Sequence, residues 1–155
     1  MRLKVLAISA RVPAWVREGW EEYSSRLGPG LKLKLTEIEP GPRTGRATAR
    51  AVGIEGQRLL AALRSDDYVI ALDERGTEPD TRALAAWLAG RMRDGRDLVF
   101  LIGGPDGLAP EVLARADWRW SLSRLTFPHA LVRVLLAEQL YRAHGVLGNH
   151  PYHRE

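Results

Sequence analysis

Two short segments of this 155-residue chain combine residue types that suit the binding of a small polar molecule. Residues 103–107 read Gly-Gly-Pro-Asp-Gly, and paired glycines let a backbone approach a ligand closely and adopt positive φ. The segment lacks the G-x-G start of a dinucleotide loop, and the chain contains no Gly-Lys-Ser/Thr phosphate-binding loop. A plain tight turn between a strand and a helix is therefore the alternative interpretation.

The second segment, residues 121–126, reads Ser-Leu-Ser-Arg-Leu-Thr and lies between apolar neighbours. Its backbone amides are suited to surround an adenine while its leucines cover the faces of the ring. Ser123 and Thr126 are also favourable N-cap residues, so capping of the following helix is an equally good interpretation. The residue types alone do not separate the two.

Histidines are the natural candidates for proton transfer and metal binding. His129 follows a proline at a predicted helix start, where a structural histidine with satisfied hydrogen bonds is the alternative. His150 and His153 have a spacing that suits zinc, with His144 and Glu155 nearby. A chain terminus is a poor metal site, and we expect no metal.

The terminal residues are better suited to RNA than to a metal. Tyr152 can stack on a base, Arg154 can pair with a phosphate, and a histidine can hydrogen-bond to either. A frayed polar end is the alternative. A hydrolase with a Ser-His-Asp triad is disfavoured because the chain has no G-x-S-x-G segment.

The elements that position these segments follow from hydrophobic periodicity. Strands are predicted at 3–9, 31–36, 68–72, 98–102 and 118–122, and helices at 13–27, 52–63, 81–93, from 110 onward and at 127–143. Residues 39–46 are predicted to be a basic, flexible loop, and 149–155 an irregular tail. The strands at 68–72 and 98–102 lack polar alternation, which indicates a largely parallel sheet with helices on both faces. We expect a single α/β domain over residues 1–155.

Ligands of open parallel sheets bind outside the carboxyl ends of the strands. Three predicted strand ends carry unusual loops, namely Leu72 with Asp73, residues 103–107 and residues 121–126. If the sheet is parallel, these loops meet at one edge. The sequence therefore predicts a binding site there.

Composition limits the function classes only loosely. The chain has no cysteine, a formal net charge of +4 and no apolar stretch of about 20 residues that would span a membrane. We expect a soluble cytoplasmic protein, and the basic charge is a weak indication of a nucleic-acid partner. The last predicted helix is apolar on nearly all faces, which favours burial in the core or against a second copy of the chain. With five tryptophans in addition, a homodimer is expected.

Four segments in order resemble those of the α/β-knot (SPOUT) methyltransferases, in particular members that methylate N3 of a pseudouridine in large-subunit ribosomal RNA. They are residues 101–108 (Leu-Ile-Gly-Gly-Pro-Asp-Gly-Leu), 120–133 (Trp-Ser-Leu-Ser-Arg-Leu-Thr-Phe-Pro-His-Ala-Leu-Val-Arg), 138–142 (Glu-Gln-Leu-Tyr-Arg) and 149–155 (Asn-His-Pro-Tyr-His-Arg-Glu). The likeness extends over the whole chain. One departure is the acid at position 106, which is Asp where Glu is also familiar.

The resemblance implies a three-layer, mostly parallel sheet flanked by helices, with a C-terminal trefoil (α/β) knot that no periodicity argument would suggest. It implies S-adenosyl-L-methionine as the methyl donor, a homodimer, and a substrate in helix 69 of 23S rRNA on the assembled ribosome. The donor-binding residues carried over by position are Leu72, Gly103, Gly104, Leu122, Ser123, Arg124, Leu125, Thr126 and Phe127.

Methyl transfer to N3 needs alignment of the nucleophile with the donor and removal of the N3 proton. Candidate bases are His129, His153 and Asp106, or water. The residues expected to act on the substrate are His129, Arg133, Tyr152, His153 and Arg154, with Arg142 as a further phosphate contact. For Arg133 and Arg142 a structural ion pair is the alternative, such as Glu138 with Arg142 at i,i+4.

Two other functions remain open from the sequence. A non-catalytic ribosome- or RNA-binding protein would share the basic charge and the tail, but it gives no reason for the loops at 103–107 and 121–127. A metal-dependent hydrolase would use His150 and His153. A chain of this size has little surface for reading RNA sequence, so we expect action on a preassembled ribosomal surface rather than on free RNA.

Overall fold

The structure is a computed structural model that describes residues 1–28, 30–45 and 47–154, with side chains described as far as residue 152. Strands and helices alternate along the chain. The strands are β1 (Leu3–Ile8), β2 (Leu33–Ile38), β3 (Tyr68–Thr77), β4 (Leu98–Ile102) and β5 (Trp118–Trp120). The helices are α1 (Ala14–Ser24), α2 (Ala49–Ala61), α3 (Thr81–Asp94), α4 (Pro110–Arg115), α5 (His129–Leu147) and a terminal 3-10 helix (Pro151–Arg154). The predicted order of elements is confirmed, and apart from the end of β3 their bounds differ by no more than four residues.

The five strands form one sheet in the order β2-β1-β4-β3-β5, and every neighbouring pair is parallel. The central strand β4 is the uninterrupted run Leu-Val-Phe-Leu-Ile, and each of its residues is buried. A strand covered on both faces needs apolar residues at every position, which is why β4 shows no alternation. The parallel sheet predicted from the sequence is confirmed.

Helices cover both faces of the sheet. Buried residues of α1, α3 and α5 form one core with one face, and those of α2 and α4 form a second core with the other. The three-layer α/β architecture is therefore confirmed. The trefoil knot implied by the resemblance stays a prediction.

Strand β3 runs past its predicted end at Leu72 and continues to Thr77. Leu72 and Thr77 both pair with Trp120, so the residues between them form an irregularity in the ladder with β5. Gly76 permits this path, because a Cβ there would lie 2.5 Å from the carbonyl oxygen of Arg119. The prediction of a strand ending at Leu72 was wrong because a bulge interrupts the apolar pattern without ending the pairing.

The stretch predicted as a flexible loop at 39–46 is held by specific contacts over its described part. Arg58 donates hydrogen bonds to the carbonyl oxygens of Glu39 and Pro40 at 2.8 and 3.1 Å. The backbone N–H of Gly41 donates to the buried carboxylate of Glu55 at 3.0 Å. The prediction of a loop is confirmed over residues 39–45, and its flexibility stays a prediction.

Helix α5 is buried along one side rather than all round. Its buried residues include Leu136, Ala137, Leu140 and Ala143, whereas the apolar residues Leu131, Val132, Val134 and Leu135 are half-buried. Complete burial in the core is therefore excluded, and coverage by a second subunit stays a prediction.

The C-terminal residues form a 3-10 helix against α5 instead of an irregular tail. The rings of Tyr141 and Tyr152 lie 4.5 Å apart between centroids, and this packing orders the end of the chain. Over the described part of the chain, no helix has the length and apolar character that crossing a membrane requires.

Candidate functional site

A pocket lies at the edge of the sheet where β3, β4 and β5 end. Its volume is about 410 Å³, within the usual range for small-molecule sites. The three segments predicted to meet at this edge do line one pocket, although Leu72 and Asp73 lie inside β3 and not in a loop after it. The pocket is lined by residues 72–75, 102–108, 113, 120, 122, 123, 125–127, 129 and 132.

The glycine loop at 103–107 closes on itself beneath the pocket. Gly104 and Gly107 form an isolated bridge, and the N–H of Gly107 donates to the carbonyl oxygen of Gly104 at 3.1 Å. Gly107 has a φ of +80°, and a Cβ on Gly103 would lie 2.8 Å from the carbonyl carbon of Gly107. Residues 103–107 therefore form a tight turn, and this turn also lines the pocket. The two interpretations of the segment are compatible.

A network of charged side chains holds this loop from below. Arg43 donates to the carboxylate of Glu55 at 2.7 Å and to that of Asp106, which lines the pocket, at 2.9 Å. The Glu55 side chain is 2% exposed. Hydrogen bonds from Arg43 to Glu55 and then Asp106 raise the pKa of the guanidinium, so the arginine is a permanent cation. We name Arg43, Glu55 and Asp106 the loop-anchoring network.

The opposite wall is the loop at 121–127, which is held by its own serines. The Ser121 hydroxyl donates to the carbonyl oxygen of Ser123 at 2.8 Å, and the N–H of Leu125 donates to Ser123 Oγ at 3.0 Å. Helix α5 has no side-chain cap and is preceded by Pro128, so capping by Ser123 or Thr126 is excluded. The serine contacts stabilise the loop and not the helix.

Backbone donors remain available on this wall. The N–H groups of Leu122, Thr126 and Phe127 have no hydrogen-bond partner among the described residues. The neighbouring surface is apolar and includes Leu72 and Trp120. Free backbone N–H groups beside apolar surface suit a flat heterocycle with acceptor nitrogens, and adenine is such a ring.

His129 is the first residue of α5 and lines the same pocket. It is exposed and makes no hydrogen bond to a described residue. Within the described part of the chain, no contact supports the structural alternative for His129. Of the other candidate bases, Asp106 lines the pocket but is engaged by Arg43, and the side chain of His153 lies outside the described residues.

Some residues expected at the site lie elsewhere in the protomer. Arg133 is 2% exposed and lies 3.7 Å from Glu37, in a different cavity. Arg124 points into solvent, 90% exposed, beside Glu78. The side chain of Arg154 lies outside the described residues.

Tyr152 belongs to the packing of the C-terminal 3-10 helix and does not line the pocket. Its hydroxyl donates to Glu138 at 3.1 Å, and the guanidinium of Arg142 lies 4.9 Å from its ring centroid. Burial, followed by contacts with Tyr23 and Glu138, raises the pKa of this phenol. The ion pair expected between Glu138 and Arg142 is confirmed at 2.6 Å.

Sequence reasoning missed the two members of the loop-anchoring network that lie outside the pocket. Arg43 is 63 residues from Asp106 along the chain, and Glu55 lies in a helix whose periodicity is unremarkable. The one local signal is a charged residue on the apolar face of α2, since Glu55 lies three residues after Val52 and four before Leu59. For metals, no group of three or more His, Asp or Glu side chains close enough to bind an ion exists within the described part of the chain.

The chain is similar over nearly its whole length to known methyltransferases. Residues 1–153 match the family model described as "Predicted SPOUT methyltransferase". The chain is 57% identical over 155 residues to the ribosomal RNA large subunit methyltransferase H of Alkalilimnicola ehrlichii, with 99% of each chain covered. It is 50% identical to the protein of the same name from Methylococcus capsulatus, over 99% of this chain and 100% of that one.

A solved structure shares the fold at low sequence identity. The ribosomal RNA small subunit methyltransferase E from Neisseria gonorrhoeae, bound to S-adenosyl methionine, superposes with a TM-score of 0.51 and 10% identity. The match covers 95% of this chain and 66% of that longer one. It supports the fold alone.

Proposed function

The chain belongs to the SPOUT methyltransferase family, and from this premise we propose that it methylates ribosomal RNA with S-adenosyl-L-methionine as the donor. The observation that carries the proposal is the pocket of about 410 Å³ at the sheet edge. Leu72, Gly103, Gly104 and the loop at 122–127 surround it, apart from the exposed Arg124. Those are the positions at which the family resemblance implies donor binding.

The residues present fit an adenosyl group. Unpartnered backbone N–H groups of the 121–127 loop match the acceptor edge of adenine, and leucine side chains match its faces. When bound, the sulfonium supplies an activated methyl group. The chain's own contribution is to hold the adenosyl group, align the acceptor with the methyl carbon and exclude water.

We further propose that the acceptor is N3 of a pseudouridine in helix 69 of 23S rRNA, methylated on the assembled ribosome in the cytoplasm. Relatives that match at full length carry the name ribosomal RNA large subunit methyltransferase H. N3 of this base is an imide nitrogen whose proton a modest base can take. His129 is exposed at the pocket and free of described hydrogen bonds, and we assign it this role.

The proposal also includes a homodimer. A second copy would cover the half-buried Leu131 and Leu135 of α5. Trp15 of α1 is 57% exposed. Tyr152, which is remote from the pocket of its own protomer, would then act at the pocket of the partner together with His153 and Arg154. The oligomeric state is measured by sedimentation equilibrium, and a monomer at micromolar concentration contradicts this part.

Calorimetry with S-adenosyl-L-methionine and radiolabelled methyl transfer to 50S or 70S particles test the activity. We expect binding, transfer to assembled particles and far less transfer to free 23S rRNA. His129→Gln should retain donor affinity and lower kcat at least about 100-fold, whereas Arg82→Gln, an exposed position on α3, serves as the control. Equal transfer to free rRNA and to ribosomes contradicts the ribosome requirement.

A non-catalytic RNA-binding protein is the second candidate, and the basic charge favours it. Absence of binding to S-adenosyl-L-methionine, with and without ribosomes, would favour this candidate. For the hydrolase alternative, stoichiometric zinc in the purified protein would be the supporting result. Mass mapping of rRNA from a strain lacking the protein then identifies the nucleotide, since one pseudouridine should lose one methyl group.

A further inference from the structure

A second cavity, of about 790 Å³, lies along β2, the edge strand farthest from the donor pocket. Among the described residues that line it, six are basic and two are acidic. They are Arg2, Lys4, Arg17, Lys32, Lys34 and Arg133, with Glu21 and Glu37. All three lysines of the chain are in this set. We name this cavity the basic cleft.

The strand register brings like charges together in the basic cleft. Lys4 of β1 and Lys34 of β2 are directly paired positions in parallel strands, so their side chains leave the same face of the sheet about 5 Å apart. Like charges directly opposite each other destabilise a sheet. Lys4 lies 3.7 Å from Asp97, while Lys32 and Lys34 have no described ion pair. An anion bound here would remove the repulsion.

A buried and incompletely paired cation lies in the same cavity. Arg133 is 2% exposed, and its Nε–H has no hydrogen-bond partner in the described part of the molecule. Its acidic neighbour Glu37 lies 3.7 Å away, beyond hydrogen-bond distance, and is itself 40% exposed. A buried charge is costly unless it is fully paired and hydrogen-bonded. The Nε–H is therefore a donor that no described residue of the chain satisfies.

The shape of the charge distribution favours a polyanion over a small ion. Lys32 and Lys34 are two residues apart along an extended chain, which separates them by about 6.6 Å. Arg2 precedes β1, and Arg17 lies on α1. The side chains of Leu31, Leu33 and Leu35 pack in the core with α1 and α5, so those of Lys32 and Lys34 leave the opposite face of the edge strand from Arg133. The cations therefore do not converge on one point. Lysine contacts phosphate as a point charge without demanding fixed geometry, as sequence-independent backbone contacts require.

We propose that the basic cleft binds the phosphodiester backbone of RNA, at a distance from the nucleotide that enters the donor pocket. The cleft and the pocket lie toward opposite edges of the sheet, with β2 at one edge and β5 at the other. The cleft therefore contributes affinity and orientation, and it takes no part in the transfer of the methyl group. The choice of RNA as the polyanion rests on the proposed function.

A charge-removal pair tests the proposal. The variant K32Q/K34Q keeps a polar side chain at both positions and removes two charges from the cleft. R82Q/R93Q removes two charges from exposed positions of α3 that make no described ion pair. Both are measured by fluorescence anisotropy with a labelled RNA stem-loop over a range of salt concentrations.

We expect K32Q/K34Q to weaken RNA binding at least about fivefold at 100 mM salt and to lower the slope of log K against log salt by about 1.4 to 1.8. R82Q/R93Q should leave both quantities near the wild-type values. Equal losses in the two variants would mean that net charge alone matters, and this overturns the proposal. Unchanged binding by K32Q/K34Q overturns it as well.

Glu37→Gln provides a test of opposite sign. This variant removes the acid that competes with phosphate for Arg133, so RNA should bind at least about threefold more tightly. A purely structural role of the Arg133–Glu37 pair predicts weaker binding or none, and that result refutes the involvement of Arg133. Full competition by millimolar inorganic phosphate would indicate a small-anion site and would overturn the choice of RNA.

Different results would refute the proposal for the basic cleft and the proposed function. Wild-type protein that binds RNA through the cleft but does not bind S-adenosyl-L-methionine contradicts the proposed function alone. Wild-type protein that binds the donor and methylates ribosomes, with K32Q/K34Q unimpaired in RNA binding, contradicts the cleft alone. If K32Q/K34Q dissociates an oligomer in sedimentation, the face is a contact between copies and the RNA assignment is wrong.

Discussion

Glu55→Gln is the most direct perturbation of the loop-anchoring network. The Glu55 carboxylate accepts hydrogen bonds from the Gly41 N–H at 3.0 Å and from Arg43 Nη1 and Nη2 at 2.7 and 3.3 Å. Glutamine has nearly the same shape, but it removes the negative charge and turns one acceptor into a donor that faces other donors. The substitution therefore tests the charge and not the packing.

The magnitude follows from the burial of the pair. Removing one partner of a buried ion pair costs about 3–5 kcal/mol. Arg43 is 25% exposed and keeps its contact with Asp106, so part of its charge can be solvated. We expect a loss of about 2–3 kcal/mol in the free energy of unfolding, which lowers Tm by roughly 4–12 °C for a domain of this size.

Glu55→Gln should also alter the glycine loop at residues 103–107. Because Arg43 ties Glu55 to Asp106 at the pocket, its release loosens the 103–107 loop and should weaken the binding of S-adenosyl-L-methionine about tenfold. Urea unfolding followed by tryptophan fluorescence measures the first effect, and calorimetry below Tm measures the second. Asp66→Asn removes a carboxylate that is 80% exposed and should change stability by less than about 0.5 kcal/mol.

Two results would refute this reasoning. A Glu55→Gln protein as stable as the wild type would show that the buried carboxylate contributes no net stabilisation. A destabilised protein with unchanged donor affinity would show that the network supports the fold without positioning the loop.

Further predictions concern the glycine turn, the C-terminal helix and the N-terminal edge. Gly103→Ala places a Cβ 2.8 Å from the carbonyl carbon of Gly107. The affinity for S-adenosyl-L-methionine, measured by calorimetry, should therefore fall more than about tenfold. An unchanged affinity would exclude the tight packing of the turn. Tyr152→Phe removes the hydrogen bond to Glu138 and should lower the free energy of unfolding by about 1 kcal/mol. Amide hydrogen exchange in the terminal 3-10 helix should become faster. Unchanged exchange would contradict the role of this hydrogen bond in holding the helix. A backbone N–H donated to Asp97 lowers the pKa of that carboxyl, so its stabilisation is present above about pH 4 and is lost as pH falls through the folded-state value. Asp97→Asn should therefore be less stable than the wild type at pH 7, and the two urea midpoints should converge as the pH falls below the lowered folded-state pKa of Asp97. A gap that does not depend on pH would contradict the assignment.

The order of elements and the position of the pocket were predictable because both depend on local patterns. A strand buried on both faces must be apolar at each position, as residues 98–102 are, and parallel strands must end at a common edge. The loops at 103–107 and 121–127 follow such ends. Their convergence therefore required no knowledge of side-chain contacts.

The register and the buried charges were decided by tertiary structure. The bulge that carries β3 past Leu72 depends on the approach of Gly76 to β5, which comes from a distant part of the chain. A helix that is apolar on most sides does not indicate which side faces the core, so the burial of Arg133 beside Glu37 was not predictable. Local patterns specify which elements form. Contacts between residues far apart in sequence determine which charged groups are buried together, because the energy of a buried charge depends on neighbours that only the folded chain supplies.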